Sequence, residues 1–203
     1  MGAILAGGAA SRFGGQAKGL ARVDGRRVID RVHAALCHAG ARPVVVSGRP
    51  GASAWLPGLR TVSDDRPGCG SLGGIHTALA VAVELGAVGV YVVAWDMPFV
   101  SADALVRLRD AACDGMAAIP VHPDGRLEPL CAWYDARCLT TAVRLLETGE
   151  RRAGALADQV GAVRVPAAGF SDAARLFVNI NTPDDLVRAR RRDRGAPRPA
   201  ALA

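Results

Sequence analysis

The chain has 203 residues, half of them hydrophobic and only 4% aromatic, enough for one sizeable aliphatic core and too apolar for a linker-like or disordered chain. The net charge of +6 invites a nucleic-acid partner, but six arginines (Arg188, Arg190, Arg191, Arg192, Arg194, Arg198) facing Asp193 put nearly all of the excess at the end. We therefore expect one domain over residues 1–190, close to neutral, and a basic disordered tail over 191–203.

Gly2 to Ala6 is a short apolar run ending at Gly7-Gly8, the form of a buried parallel strand that delivers a loop at its carboxyl end. Gly7 and Gly8 let backbone N–H groups approach a nucleotide with no Cβ in the way, and Gly14 and Gly15 permit the positive φ of a wrapped loop. Arg12 and Lys18, six residues apart, supply the charge needed by a triphosphate whose leaving pyrophosphate must be stabilised. No Gly-Lys here is followed by Ser or Thr, so the loop is not a Walker A motif and γ-phosphate chemistry is disfavoured.

Asp24-Gly25 reads as a turn, after which Val28, Ile29, Val32, Ala35 and Leu36 recur at helical spacing until Gly40 stops them. Pro43 to Ser47 and Leu59 to Ser63 read as strands. Gly68-x-Gly70-x-x-Gly73 satisfies a dinucleotide-binding pattern, but Asp64 to Pro67 intervene between strand and glycine, so the tight Rossmann turn is absent. The segment can still receive an anionic group where the next helix, Ile75 to Leu85, begins.

Val88 to Ala94 is a strand of β-branched and aromatic residues, which leaves Asp96 just past its carboxyl end, between Trp95 and Met97-Pro98. A carboxylate held there needs a cationic partner, and a hard magnesium ion carrying phosphate oxygens and waters is a natural one. Asp64, at another strand end, is a second candidate for the metal, base or ribose, with its neighbour Asp65 as an alternative. Ser101 is positioned to cap a helix from Ala102 to Cys113. Beyond it come a strand at Ala117 to Val121, a turn at Asp124-Gly125 and an antiparallel return strand at Leu130 to Tyr134.

Helices at Cys138 to Leu146 and near Ala153 to Val160, a strand at Ala162 to Val165 and a helix from Pro183 complete the pattern. Its alternation predicts an α/β fold: a doubly wound, mostly parallel sheet with helices on both faces and a small antiparallel element. Asn179-Ile180-Asn181 puts two amides on one side of an extended segment before Thr182, the expected N-cap. Whether they also touch substrate stays open here.

Five scattered cysteines without a C-x-x-C read as reduced thiols of a cytoplasmic protein, and the four histidines have no metal-site spacing. Gly7 and Gly8 interrupt any signal-peptide pattern, and Glu84, Gly86 and Gly89 break the apolar stretch from Ala78 to Trp95, so neither secretion nor a membrane span is expected.

These residues resemble the bacterial nucleotidyltransferases of molybdenum cofactor maturation, and most closely the guanylyltransferases among them. The likeness runs from Gly2 to about Arg190. It rests on Leu5-Ala6-Gly7-Gly8 through Lys18-Gly19-Leu20, on Gly70-Ser71-Leu72-Gly73-Gly74, on Asp96-Met97-Pro98, on Gly149-Glu150-Arg151-Arg152 and on Asn179-Ile180-Asn181-Thr182-Pro183. It implies that Leu5, Ala6 and Gly7 line a guanine, that Lys18 contacts the nucleotide phosphates, Asp64 the nucleotide and Asp96 Mg2+. Gly8 and Ser47 complete the implied nucleotide contacts, although Ser47 stands where the family often has Asn, and Ser71 replaces a common Pro. Arg12, Gly15, Gly70, Gly74, Arg152, Asn179 and Asn181 would face the molybdopterin, with Arg12, Lys18 and Asp96 carrying the chemistry.

The implied substrates are GTP and molybdenum-molybdopterin, with transient contact to cofactor-delivering and molybdoenzyme-maturation proteins and with no nucleic acid or membrane partner. Two alternatives remain at this point: a CTP-dependent relative or one with another phosphorylated acceptor, and a non-enzymatic binder acting through the Arg-rich tail.

Overall fold

The computed structural model describes residues 1–7, 17–113 and 115–194, the side chains of 192–194 excepted. Gly8, Arg12, Gly14 and Gly15 lie outside the described residues, as does the chain beyond Arg194. In chain order the elements are β1 (Gly2–Leu5), a hairpin of β2 (Arg22–Val23) and β3 (Arg26–Arg27), α1 (Val28–His38), β4 (Pro43–Val46), β5 (Thr61–Val62), α2 (Gly70–Glu84), β6 (Gly89–Ala94) and α3 (Ala102–Ala111). There follow β7 (Ala117–Val121), β8 (Cys131–Asp135), α4 (Cys138–Glu147), α5 (Ala153–Gln159), β9 (Val163–Pro166), α6 (Ala173–Leu176) and α7 (Pro183–Arg194).

Seven strands form one sheet in the order β5-β4-β1-β6-β8-β7-β9. β5, β4, β1 and β6 run parallel, β9 runs parallel to β7, and β8 is antiparallel to both of its neighbours. This is the mostly parallel, doubly wound α/β sheet expected, with the return strand near Leu130 as its antiparallel member. The chain leaves β1 toward β4 and β5 and then crosses back to β6. The carboxyl ends of β1 and β6 therefore flank a topological switch point, where open α/β sheets bind their ligands.

Strand parity assigns the two faces. Ile4, Ala6, Tyr91 and Val93 pack with α1 and α3, while Ala3, Leu5, Val90 and Val92 pack with α2, α4 and α5. A one-residue slip would exchange these sets, so burial fixes the register. α1 buries the expected stripe of Val28, Ile29, Val32, Ala35 and Leu36. It ends in a Schellman arrangement, in which Gly40 (φ 77°) donates to Cys37 O and Ala41 to Leu36 O, both at 3.0 Å. Ser101 Oγ accepts from Ala104 N at 3.3 Å, as a cap should.

One boundary differs from the sequence expectation. α2 starts at Gly70 rather than Ile75, so the second glycine-rich stretch is the first turn of a helix and not a loop. Tertiary contacts outweigh the low helix propensity of glycine there: Leu72 N donates to Arg151 O at 3.2 Å, and Ser71 Oγ accepts from Ala153 N at 3.1 Å. A Cβ on Gly70 would lie 2.7 Å from Arg151 O, and one on Gly74 would lie 3.2 Å from Leu5 Cδ1. The glycines thus let α2 approach both the loop before α5 and the end of β1.

Candidate active site

A cavity of about 750 Å³ opens at the carboxyl ends of β1, β4 and β6, within the size range of small-molecule sites. Asp96 lines it, one residue beyond the Trp95 whose amide still pairs with Leu5 O at 3.2 Å. The Asp96 carbonyl accepts from Ile180 N at 2.9 Å, which pins the Asn179-to-Asn181 segment beside it. Lys18 Nζ donates to Asp96 Oδ2 and, at 2.7 Å, to Asn181 Oδ1. Three segments far apart in sequence therefore meet in one cluster.

Lys18 is held there by its neighbour. Residues Lys18–Leu20 form a single 3-10 turn, and Gly19 lies flat against the buried Trp95, so closely that a Cβ would sit 2.4 Å from Trp95 Cε3. Trp95 cannot retreat, because its other partner is Trp55, stacked at 4.9 Å between ring centroids. The position of Lys18 thus depends on a packing contact that the sequence reading missed.

Asp96 is 5% exposed, and its Oδ1 is buried with no hydrogen-bond partner among the described residues. One oxygen neutralised by Lys18 and one orphaned is an arrangement that fits a cation. Among the described residues no three His, Cys, Asp or Glu side chains gather into a metal cage. An ion bound at Asp96 would take its remaining ligands from phosphate oxygens and waters, which is how magnesium usually binds.

On the β1 and β4 side, Leu5, Gly7 and Ser47 line the cavity. Ala6, expected to line the base, is fully buried and not among the lining residues, its N–H donating to Val46 O at 2.9 Å and its carbonyl accepting from Ser47 Oγ at 2.9 Å. Asp64 is on the cavity wall and Asp65 is not. Asp64 Oδ1 accepts from Arg66 N at 3.0 Å and from Thr77 Oγ1 at 3.4 Å.

Gly70, Gly74, Asn179 and Asn181 also line the cavity, the first two from α2 and the amides from the strap before α7. Arg152 does not: its guanidinium is bonded to Glu150 Oε2 at 2.8 Å and is 82% exposed. Its neighbours brace the α2 start through backbone groups, Arg151 O accepting from Leu72 N and Ala153 N donating to Ser71 Oγ. The expected cap of α7 is present, with Asp185 N donating to Thr182 Oγ1 at 3.1 Å and Thr182 N donating to Asp185 Oδ2 at 2.8 Å.

Sequence reasoning missed Glu128. This 7%-exposed carboxylate lines the far side of the cavity and is held by His122 Nε2 at 2.9 Å and by Arg126. Its only sequence signal was an acid between the Asp124-Gly125 turn and the return strand. Among the described residues no cysteine lines the cavity, and burial pushes the Cys131 and Cys138 thiols up to about 12.

The sequence pattern of the MobA-like NTP transferase domain matches residues 2–163. The chain belongs to this family. The transferase is 37% identical over 194 residues to a "Probable molybdenum cofactor guanylyltransferase" of Opitutus terrae, covering 94% of this chain and 95% of the relative. A second protein of the same printed name, from Deinococcus radiodurans, is 38% identical over 187 residues, covering 91% and 90%. Among solved structures, the molybdopterin-guanine dinucleotide biosynthesis protein A of Archaeoglobus fulgidus superposes with a TM-score of 0.77 at 28% identity, covering 96% of this transferase and 99% of that chain. The transferase is accordingly an enzyme that moves nucleotidyl groups. No helix among the described residues is long and apolar enough to cross a membrane.

Proposed function

We propose that this transferase moves GMP from GTP to the terminal phosphate of molybdenum-molybdopterin, forming the guanine dinucleotide cofactor and releasing pyrophosphate. The observation that carries the reading is the cluster of Lys18, Asp96 and Asn181 at the switch point, with Asp96 Oδ1 buried and without a hydrogen-bond partner among the described residues. The names of the relatives supply the substrates.

The guanine and ribose lie over Leu5, Gly7 and Ser47, with Asp64 accepting from nucleotide N–H or O–H groups. Without nucleotide, Lys18 neutralises Asp96. With a phosphate chain and its cation bound, Lys18 would pair with the phosphates and the Asp96 carboxylate would hold the cation, so that neither charge would be stranded in the cavity. Magnesium, when bound, neutralises the α-phosphate and orients it.

An oxygen of the acceptor's terminal phosphate attacks the α-phosphorus in line, the bond to the bridging oxygen breaks, and pyrophosphate leaves against Lys18 and Arg12. Gly8 contributes a further backbone contact to the nucleotide. Gly15, Gly70, Gly74, Asn179 and Asn181 receive the acceptor together with Arg12. Positioning and electrostatics are sufficient, and no covalent intermediate is needed.

Incubation with each of the four nucleoside triphosphates, magnesium and molybdopterin tests this, with any dinucleotide identified by mass. The guanine product is expected from GTP alone. A cytidine product, or no dinucleotide from any triphosphate, would overturn the reading.

A further inference from the structure

We infer that Glu128, held by His122 and Arg126, is the residue that recognises the pterin end of the acceptor, by accepting hydrogen bonds from its N–H and amino edge. The inference rests on the guanylyl-transfer reading above.

β8 inserts between β6 and β7, and its approach places Leu130 O on Ala94 N at 2.8 Å, directly beside the strand end that carries Asp96. Glu128 lies two residues earlier, with its own N–H on Pro120 O of β7 at 3.0 Å. Asp64 follows β5, on the opposite side of β1 from β6. Along the strand ends the order is therefore Asp64, then Asp96, then Glu128, three carboxylates on one cavity wall with the proposed reaction centre in the middle.

The product of the proposed reaction has the same symmetry. Guanine presents a ring N–H next to an exocyclic amino group, and a pterin presents the same pair from its pyrimidine ring. The two heads are joined through a central diphosphate. A carboxylate is the side chain whose acceptor oxygens match such a donor edge. The cavity offers one on each side of Asp96.

The local chemistry of the two outer carboxylates is also alike. Asp64 is fixed through Oδ1 by Arg66 N and Thr77 Oγ1, and Glu128 is fixed through Oε1 by His122 Nε2 and Arg126. None of these contacts uses the second oxygen. Each side chain is thus oriented by one atom and leaves the other for a ligand. Pro129 and Leu130, beside it on the cavity wall, give a flat ring an apolar floor.

The test measures KM for molybdopterin and for GTP in the wild type and in Glu128→Gln, whose amide puts a donor where an acceptor is needed. We expect KM for molybdopterin to rise roughly tenfold or more, as for a lost hydrogen bond to a charged group, with KM for GTP and the GTP-dependent melting shift unchanged. Unchanged KM for molybdopterin, or equal losses for both substrates, overturns the assignment.

A second measurement needs no variant. At saturating GTP, free pterin should compete with molybdopterin at least severalfold better than lumazine, which carries an oxygen in place of the 2-amino group. Equal competition by the two overturns it as well. A wild-type protein that forms no guanine dinucleotide would instead remove the functional reading itself, an outcome separate from both.

Discussion

Lys18 and Asp96, 78 residues apart in the chain, form an ion pair whose side chains are 19% and 7% exposed. It joins the first loop of the sheet to the end of β6. A carboxylate this deep is costly once its cation is removed. Lys18→Met should therefore destabilise the ligand-free protein by about 3–5 kcal/mol, which lowers the melting temperature by roughly 6–20 °C in a chain of this size. Adding Asp96→Asn to that variant should recover part of the loss. Thermal unfolding of the two single variants and the double variant measures it, and a double-variant loss equal to the sum of the two single losses would show that the groups are not coupled.

Gly19→Ala places a methyl 2.4 Å from Trp95 Cε3 and 2.6 Å from Cδ2. The ring is 1% exposed and stacked on Trp55, so the turn carrying Lys18 must move instead. Overpacking of this kind costs about 1–3 kcal/mol. The melting temperature should fall accordingly, and the stabilisation by GTP and magnesium should shrink because Lys18 is displaced. A variant with wild-type melting and an undiminished ligand shift would contradict this packing account.

The fold was legible where local chemistry decides local structure. The apolar stripe from Val28 to Leu36 is the buried face of α1, Gly40 closes it, and Thr182 caps α7 as the residue types require. It was not legible where distant groups decide. The start of α2 is set by Arg151 O and by the Ser71 bond to Ala153 N, and nothing within Gly70 to Gly74 announces a helix. The site divides in the same way. Asp96 could be found from its strand end, but its pairing with Lys18 is a property of the folded sheet, and Glu128 gains its place only once β8 has inserted beside β6.

The pH dependence of stability should show a contribution from His76, which is 8% exposed in α2. Burial, followed by the nearby Arg66 charge, lowers its pKa below the ordinary value of 6.5, with Asp65 and Asp64 opposing. The unfolded chain then binds a proton more readily than the folded one, so the stabilising effect is complete above pH 6.5 and is lost as the pH falls below it. Melting curves between pH 7.5 and pH 5 should drop more steeply for the wild type than for His76→Gln. Parallel curves would rule out this contribution.

The central claim is that the Asp96 carboxylate carries the cation that the reacting phosphate needs. The most direct measurement is the rate of pyrophosphate release at saturating GTP, molybdopterin and magnesium, comparing the wild type with the isosteric Asp96→Asn. The account predicts a fall of about a hundredfold or more, with a cooperative melting transition retained. Undiminished release from that variant would contradict it.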